Sequence, residues 1–167
     1  MTEVGFSLGS NLGDKQTTIA RALEAIFSDG DIGFLAASSF YRTEPWGVES
    51  QDWFVNLCAV GETELPASAV MARTQAIERA LGRADTFRWG PRIVDIDILW
   101  YGDEVLTEPL LTIPHKEIFN RAFVLVPLAE IRPDLVLAGR RIADAAAAFD
   151  ARGIERIAPA WRQGGRS

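Results

Sequence analysis

The 167 residues are 48% hydrophobic and 24% charged, the balance of an ordinary globular chain that buries about 70% of its unfolded surface without disulfide or metal staples. Seventeen basic against 23 acidic residues give a net charge of −6, which argues against a broad electrostatic footprint on nucleic acid or anionic membrane. No apolar run reaches the ~20 residues of a membrane span and no basic leader precedes an apolar stretch, while the single cysteine, Cys58, sits in an apolar run; the expectation is a soluble cytoplasmic protein with a buried thiol.

Val4 to Leu8 reads as a short apolar strand ending at Gly9-Ser10-Asn11, after which Ile19, Leu23, Ile26 and Phe27 recur at helical spacing. Phe34 to Tyr41 and Trp53 to Val60 are β-rich runs flanking a polar link, 42–52, that is longer than a hairpin needs. Pro66 precedes a second helix with Val70, Thr74, Ile77 and Leu81 on one face and Gly82 at its end. An irregular stretch, 83–91, leads into Ile93 to Tyr101, the clearest strand. Leu110 to Pro114, Phe123 to Leu128 and Pro133 to Leu137 alternate with short links, and Ile142, Ala146 and Phe149 outline a last helix. Beyond Ala158 the tail is expected to fray, with Trp161 as its one anchor. Strands interleaved with two main helices predict an α+β sandwich in which helices pack on a mostly antiparallel sheet.

Asp95 and Asp97 stand two apart in a strand, so both carboxylates leave the same face. Either that face is wet or it holds a cation; Leu99 and Tyr101, read as continuing it, favour the cation, and a hard divalent ion such as Mg²⁺ suits paired carboxylates and phosphate oxygens. All but two of the 17 basic residues are arginine. Arg83, Arg88 and Arg92 surround Trp89-Gly90-Pro91, with Arg121 later beside Phe123; they are either structural ion-pair partners for the aspartates or a phosphate clasp, with Trp89 offering a stacking surface to a planar heterocycle. His115 is the one histidine. Its options are general acid or base, metal ligand, phosphate donor or hydrogen-bonded bystander; without a second histidine or a cysteine cluster zinc is disfavoured, and without GxSxG so is a serine hydrolase, while a phosphate donor beside Lys116 needs no particular protonation partner. Gly9 to Lys15 lacks Walker spacing and reads as a plain turn with a helix cap, without a catalytic role.

Taken together, these residues resemble the 6-hydroxymethyl-7,8-dihydropterin pyrophosphokinase family. The likeness rests on Leu8-Gly9-Ser10-Asn11-Leu12-Gly13, on Ser39-Phe40-Tyr41-Arg42-Thr43 with Pro45 and Gly47, and on Phe54 and Asn56. It rests above all on Arg88-Trp89-Gly90-Pro91-Arg92 leading into Asp95-Ile96-Asp97, and is completed by Ile113-Pro114-His115 and Asn120 to Leu125. The resemblance implies a ferredoxin-like α/β sandwich over 1–158 as a single pyrophosphokinase domain, followed by a flexible tail, 159–167. It implies transfer of pyrophosphate from ATP to the pterin alcohol in folate biosynthesis by a monomer, with two Mg²⁺ ions held between Asp95, Asp97 and the ATP phosphates.

By the same resemblance Gln75, Glu78, Arg83, Arg88, Trp89, Arg92, Ile98, Thr112, His115 and Arg121 face ATP. Thr43, Glu44, Pro45, Trp46, Phe54, Asn56, Trp89 and Phe123 form the pterin site. Arg83, Arg92, Asp95 and Asp97 form the catalytic set. The sequence departs from the family pattern at 84–87, at Leu110 where arginine is frequent, at Lys116 where an aromatic is frequent, and at Phe54, commonly a hydroxylated aromatic. The rival readings are a non-catalytic nucleotide- or pterin-binding module and an RNA-binding ferredoxin-like domain, the latter disfavoured by the net charge.

Overall fold

A computed structural model describes residues 1–44, 53–82 and 93–164. In the middle of β1 (Thr2–Ser10) the alternate residues Val4, Phe6 and Leu8 are apolar and fully buried, whereas Gly5, Ser7 and Gly9 alternate on the other side. This one strand organises the molecule. It is the fourth of five in the path β10-β3-β4-β1-β5 of an antiparallel sheet that it forms with β2 (Ile32–Ala37), β3 (Phe40–Thr43), β4 (Phe54–Thr63), β5 (Asp95–Tyr101) and β10 (Ile154–Ala158), with β2 also paired to β4.

Helices α1 (Lys15–Phe27) and α2 (Ala67–Gly82) follow β1 and β4 and pack on the face bearing Val4, Phe6 and Leu8. That order and pairing make the ferredoxin-like α+β sandwich expected from the sequence. Asp14 caps α1, its Oδ1 accepting from Thr17 N at 3.2 Å, as a plain helix-opening turn requires. A second layer lies on the opposite face: α3 (Ala122–Ile131) and α4 (Ile142–Ala147) bury Cys58, Val60, Leu99 and Trp100. Burial pushes the Cys58 thiol far above its ordinary value, so it stays protonated and inert. Trp161 packs on Phe27 and Phe34, and Gln163 donates to Phe27 O at 2.9 Å.

Three expectations are corrected. The run Phe34 to Tyr41 divides at Ser38-Ser39, because the Ser39 amide donates to the Glu130 carboxylate of α3 rather than to a strand, and Ser38 Oγ accepts from Cys58 N at 3.0 Å. Glu130 also takes the Tyr41 hydroxyl at 2.6 Å; burial and that carboxylate push the phenol well up, which keeps the donor protonated. Phe123 to Leu128 is helical, not extended. Its sequence is apolar on all sides, a pattern that strand and buried helix share, and Pro127 is accommodated within the buried α3. Finally, a β-bulge beside Gly5/Phe6 adds one residue to β5 between Ile98 and Trp100. Leu99 remains on the aspartate side, but Tyr101 is returned to the α1/α2 core, where its hydroxyl donates to Leu65 O.

Candidate active site

Layer α3/α4 covers only one half of its sheet face. Beyond its edge, the small residues Ser7 and Gly9 of β1, Phe54 and Asn56 of β4, Thr43 of β3 and Asp95 and Asp97 of β5 line a cavity of about 320 Å³, with Glu44 beside them. Arg121 and Phe123 at the start of α3 close it from the side. Each strand contributes alternate residues, which is why Thr43 pairs across to Phe54, Asn56 lies opposite Gly9, and Ser7 lies opposite Asp97. Gly9 makes room for that geometry, since a Cβ there would lie 2.7 Å from Asn56 Nδ2 and the amide would have to shift. Among the described residues, the buried Asn56 has no partner for its Oδ1, nor has Thr43 for its Oγ1. Buried polar atoms without partners are costly, and here they sit where a polar ligand edge would satisfy them.

A second cavity, about 310 Å³, runs along the outer edge of β5 between α2 and the segment 109–116. Met71, Thr74, Gln75 and Glu78 fall on one side of α2 at three- and four-residue steps and form its floor. The opposing lip comes from the hairpin of β6 (Leu106–Thr107) and β7 (Thr112–Ile113), whose turn is closed by reciprocal backbone bonds between Glu108 and Leu111. Leu110 stands 79% exposed at that tip. Glu78 Oε2 accepts from the Ile96 amide at 3.0 Å, so Ile96 presents its backbone outward from the ladder, and antiparallel alternation turns the N–H and C=O of Ile98 the same way.

Asp97 belongs to both cavities. Its Oδ2 lies 3.5 Å from an Arg121 guanidinium nitrogen and 4.0 Å from His115 Nε2. The His115 backbone N–H is bonded to Leu99 O at 2.8 Å, and its Nδ1 accepts from Glu117 N at 3.1 Å, which leaves Nε2 as the protonated nitrogen of the neutral ring. Burial lowers the His115 pKa below the usual histidine value; Asp97 opposes this and Arg121 reinforces it. Ser10 Oγ donates to Ile93 O at 2.6 Å and ties the entry of β5 to the end of β1.

Thus Thr43, Glu44, Phe54, Asn56 and Phe123 gather in the first cavity with Asp95 and Asp97, and Gln75, Glu78, Ile98, Thr112 and His115 in the second, while Arg121 faces the shared aspartate. Pro45, Trp46, Arg83, Arg88, Trp89 and Arg92 lie outside the described residues, as do both loops expected to close over the site. Ser7, Gly9, Met71 and Leu111 were not singled out by sequence reasoning as site residues. The alternation of small Gly5, Ser7 and Gly9 against Val4, Phe6 and Leu8 was the available signal for the first two, and Gly9 is more than part of a turn.

The family model for 7,8-dihydro-6-hydroxymethylpterin-pyrophosphokinase matches residues 5–133. The chain is 45% identical over 157 residues to the 2-amino-4-hydroxy-6-hydroxymethyldihydropteridine pyrophosphokinase of Methylorubrum extorquens, covering 94% of this chain and 99% of that one. It is 43% identical to the protein of the same name from Haemophilus influenzae, over 81% of this chain and 85% of that one. Among solved structures it is similar in fold to the wild-type Plasmodium falciparum HPPK-DHPS, with a TM-score of 0.70 at 14% identity, covering 87% of this chain and 44% of that longer one. With the family's residues gathered at one strand end and the match running through most of the sequence, this chain belongs to the 7,8-dihydro-6-hydroxymethylpterin-pyrophosphokinase family.

Proposed function

We propose that the chain transfers pyrophosphate from ATP to 6-hydroxymethyl-7,8-dihydropterin in folate biosynthesis, with ATP in the cavity along β5 and the pterin in the cavity on the sheet face. The observation that carries this reading is the position of Asp97, which borders both cavities and so marks where their occupants would meet. Asn56 and Thr43, with their unpartnered buried oxygens, suit the polar edge of a pterin, and Phe54 and Phe123 suit its ring. The outward backbone pair of Ile98 suits the donor–acceptor edge of adenine, with Gln75 and Thr112 beside it. Lys116 and Leu110 line the ATP cavity where the family pattern differs.

Asp95 and Asp97 fit magnesium. They offer two hard oxygen donors on one strand face of the cavity. When bound, two such ions would supply Lewis-acid stabilisation of the charge on the transferring diphosphate. The rest falls to positioning by side chains. Arg121 and the Nε2–H of His115 converge on the junction and would hold the α-phosphate side. Arg83 and Arg92 would steady the transferring phosphates, with Arg88 and Trp89 in the same segment, and Pro45 and Trp46 would border the pterin. The pterin hydroxymethyl oxygen attacks the β-phosphorus in line, its proton is released, the bond from β-phosphorus to the α,β-bridging oxygen breaks, and AMP leaves. Closure of 42–52 and 83–91 over the substrates would exclude competing water.

Residues 1–158 act as one monomeric catalytic domain in the cytoplasm, and Trp161 and Gln163 tie the described end of the chain back onto it. No described helix is long and apolar enough to cross a membrane, and the net charge of −6 supports a chain without a nucleic-acid partner. The test is to incubate the full chain with ATP, Mg²⁺ and the pterin alcohol and separate the nucleotides. AMP formed only when the pterin is present is expected; ADP, or no nucleotide product, overturns the reading in favour of another transfer or a binding module.

A further inference from the structure

Trp53 is the residue that ends the segment linking β3 to β4, and it takes no part in either cavity. Strand alternation sends its neighbour Phe54 into the substrate cavity, as it does Asn56, while Trp53 and Val55 turn to the α1/α2 side, where Trp53 packs against the core. Two cations lie over its indole: Lys15 Nζ, from the first residue of α1, at 4.7 Å from the ring centroid, and the Arg42 guanidinium of β3 at 4.4 Å. Among the described residues neither cation has an ion-pair partner, and Arg42 Nε is buried without a hydrogen bond. Glu155 stands opposite Arg42 on β10 and shares a small cavity with it and Glu44, but the close contact of the guanidinium is with the ring.

The three side chains come from three elements that meet at the substrate cavity without lining it. Arg42 directly precedes Thr43 and Glu44, Trp53 directly precedes Phe54, and Lys15 opens the helix that follows Gly9. Arg42 pairs with Val55, so Thr43 and Phe54 are opposite one another on the cavity side of the same two strands. The β3–β4 ladder spaces Thr43 from Phe54, and the Arg42–Trp53 contact braces that last pair from the side opposite the cavity.

We propose that Trp53 is a positioning residue: clasped by Lys15 and Arg42, it pins the junction of β3 and β4 and so sets the width of the cavity that receives the pterin. The inference rests on the assignment of that cavity to the pterin. It specifies an effect on one substrate only, because Lys15, Arg42 and Trp53 are all absent from the lining of the other cavity.

The test compares the full-length wild type with Trp53→Leu, Trp53→Phe and the double variant Lys15→Met/Arg42→Met, in steady-state assays and by calorimetric titration with the pterin alcohol. Trp53→Leu is expected to raise the pterin KM and Kd about tenfold, leaving the ATP KM within about twofold. Trp53→Phe, which keeps an aromatic face for the cations, is expected to recover most of the loss. The double variant leaves the indole in the core, so it reads the clasp even where Trp53→Leu fails to fold; it should raise the pterin KM about fivefold. An unchanged pterin KM in the double variant, equal rises in both KM values, or no recovery with Trp53→Phe overturns the proposal. A wild type that makes AMP with the pterin while the variants bind it normally refutes the clasp alone. A wild type that neither binds nor pyrophosphorylates the pterin refutes the underlying assignment instead.

Discussion

The two cavities that meet at Asp97 are built by different means. The one on the sheet face is floored by four adjacent strands, and its shape follows from ladder register: one residue of slip would replace Ser7, Gly9, Asn56 and Asp97 by their buried apolar neighbours. The one along β5 is bounded by a helix side, a strand edge and a hairpin, elements that can shift relative to one another without breaking a ladder. A rigid, flat heterocycle suits the first construction, and a long flexible polyphosphate suits the second. The lesson is that the half of the site with less freedom is the half whose residues are most constrained by their neighbours, down to the absence of a single Cβ at position 9.

The comparison predicts substitutions that strike both halves, then one, then neither. Asp97→Ala removes the shared carboxylate and should lower kcat by about a thousandfold or more while the circular dichroism spectrum and unfolding midpoint stay near wild type; retention of more than a tenth of the rate would separate the two cavities functionally. Gly9→Ala should displace Asn56 and weaken pterin binding by about 1 to 3 kcal/mol, read as a rise in pterin KM with the ATP KM unchanged. Met71→Ala trims the floor of the other cavity and should raise the ATP KM about threefold through the loss of roughly 0.7 kcal/mol of apolar contact, sparing the pterin KM. Ala138→Asn touches neither. Ala138 and Gly139 form the two-residue turn between β8 (Val136–Leu137) and β9 (Arg140–Arg141), both at positive φ. Asparagine tolerates that conformation better than alanine, so urea denaturation should show a gain of about 0.5 to 1 kcal/mol with unchanged kinetics.

How much of this was legible beforehand divides along similar lines. Asp95 and Asp97 announced a shared face because a two-residue spacing has one meaning in a strand. Tyr101 did not keep to that face, because a bulge depends on where the partner strand's hydrogen bonds fall and leaves no period in the sequence. The helices α1 and α2 carried amphipathic spacing and were found; α3, apolar all round, had none. Asn56 and Phe54 entered through family resemblance, whereas Glu130 went unnoticed. Its carboxylate gathers the Ser39 amide and hydroxyl and the Tyr41 hydroxyl across some ninety residues of sequence, and contacts of that range have no local signature.

The extra residue in β5 has an effect beyond the placement of Tyr101. Ahead of it the strand serves ligands, with Asp95 and Asp97 open to one side; behind it the same strand drives Trp100 over Gly5, so close that a methyl there would meet the indole at 2.1 Å. The insertion thus changes what the strand does midway along its length: one register faces a cavity, and the shifted one seats an indole in a slot that only glycine leaves open.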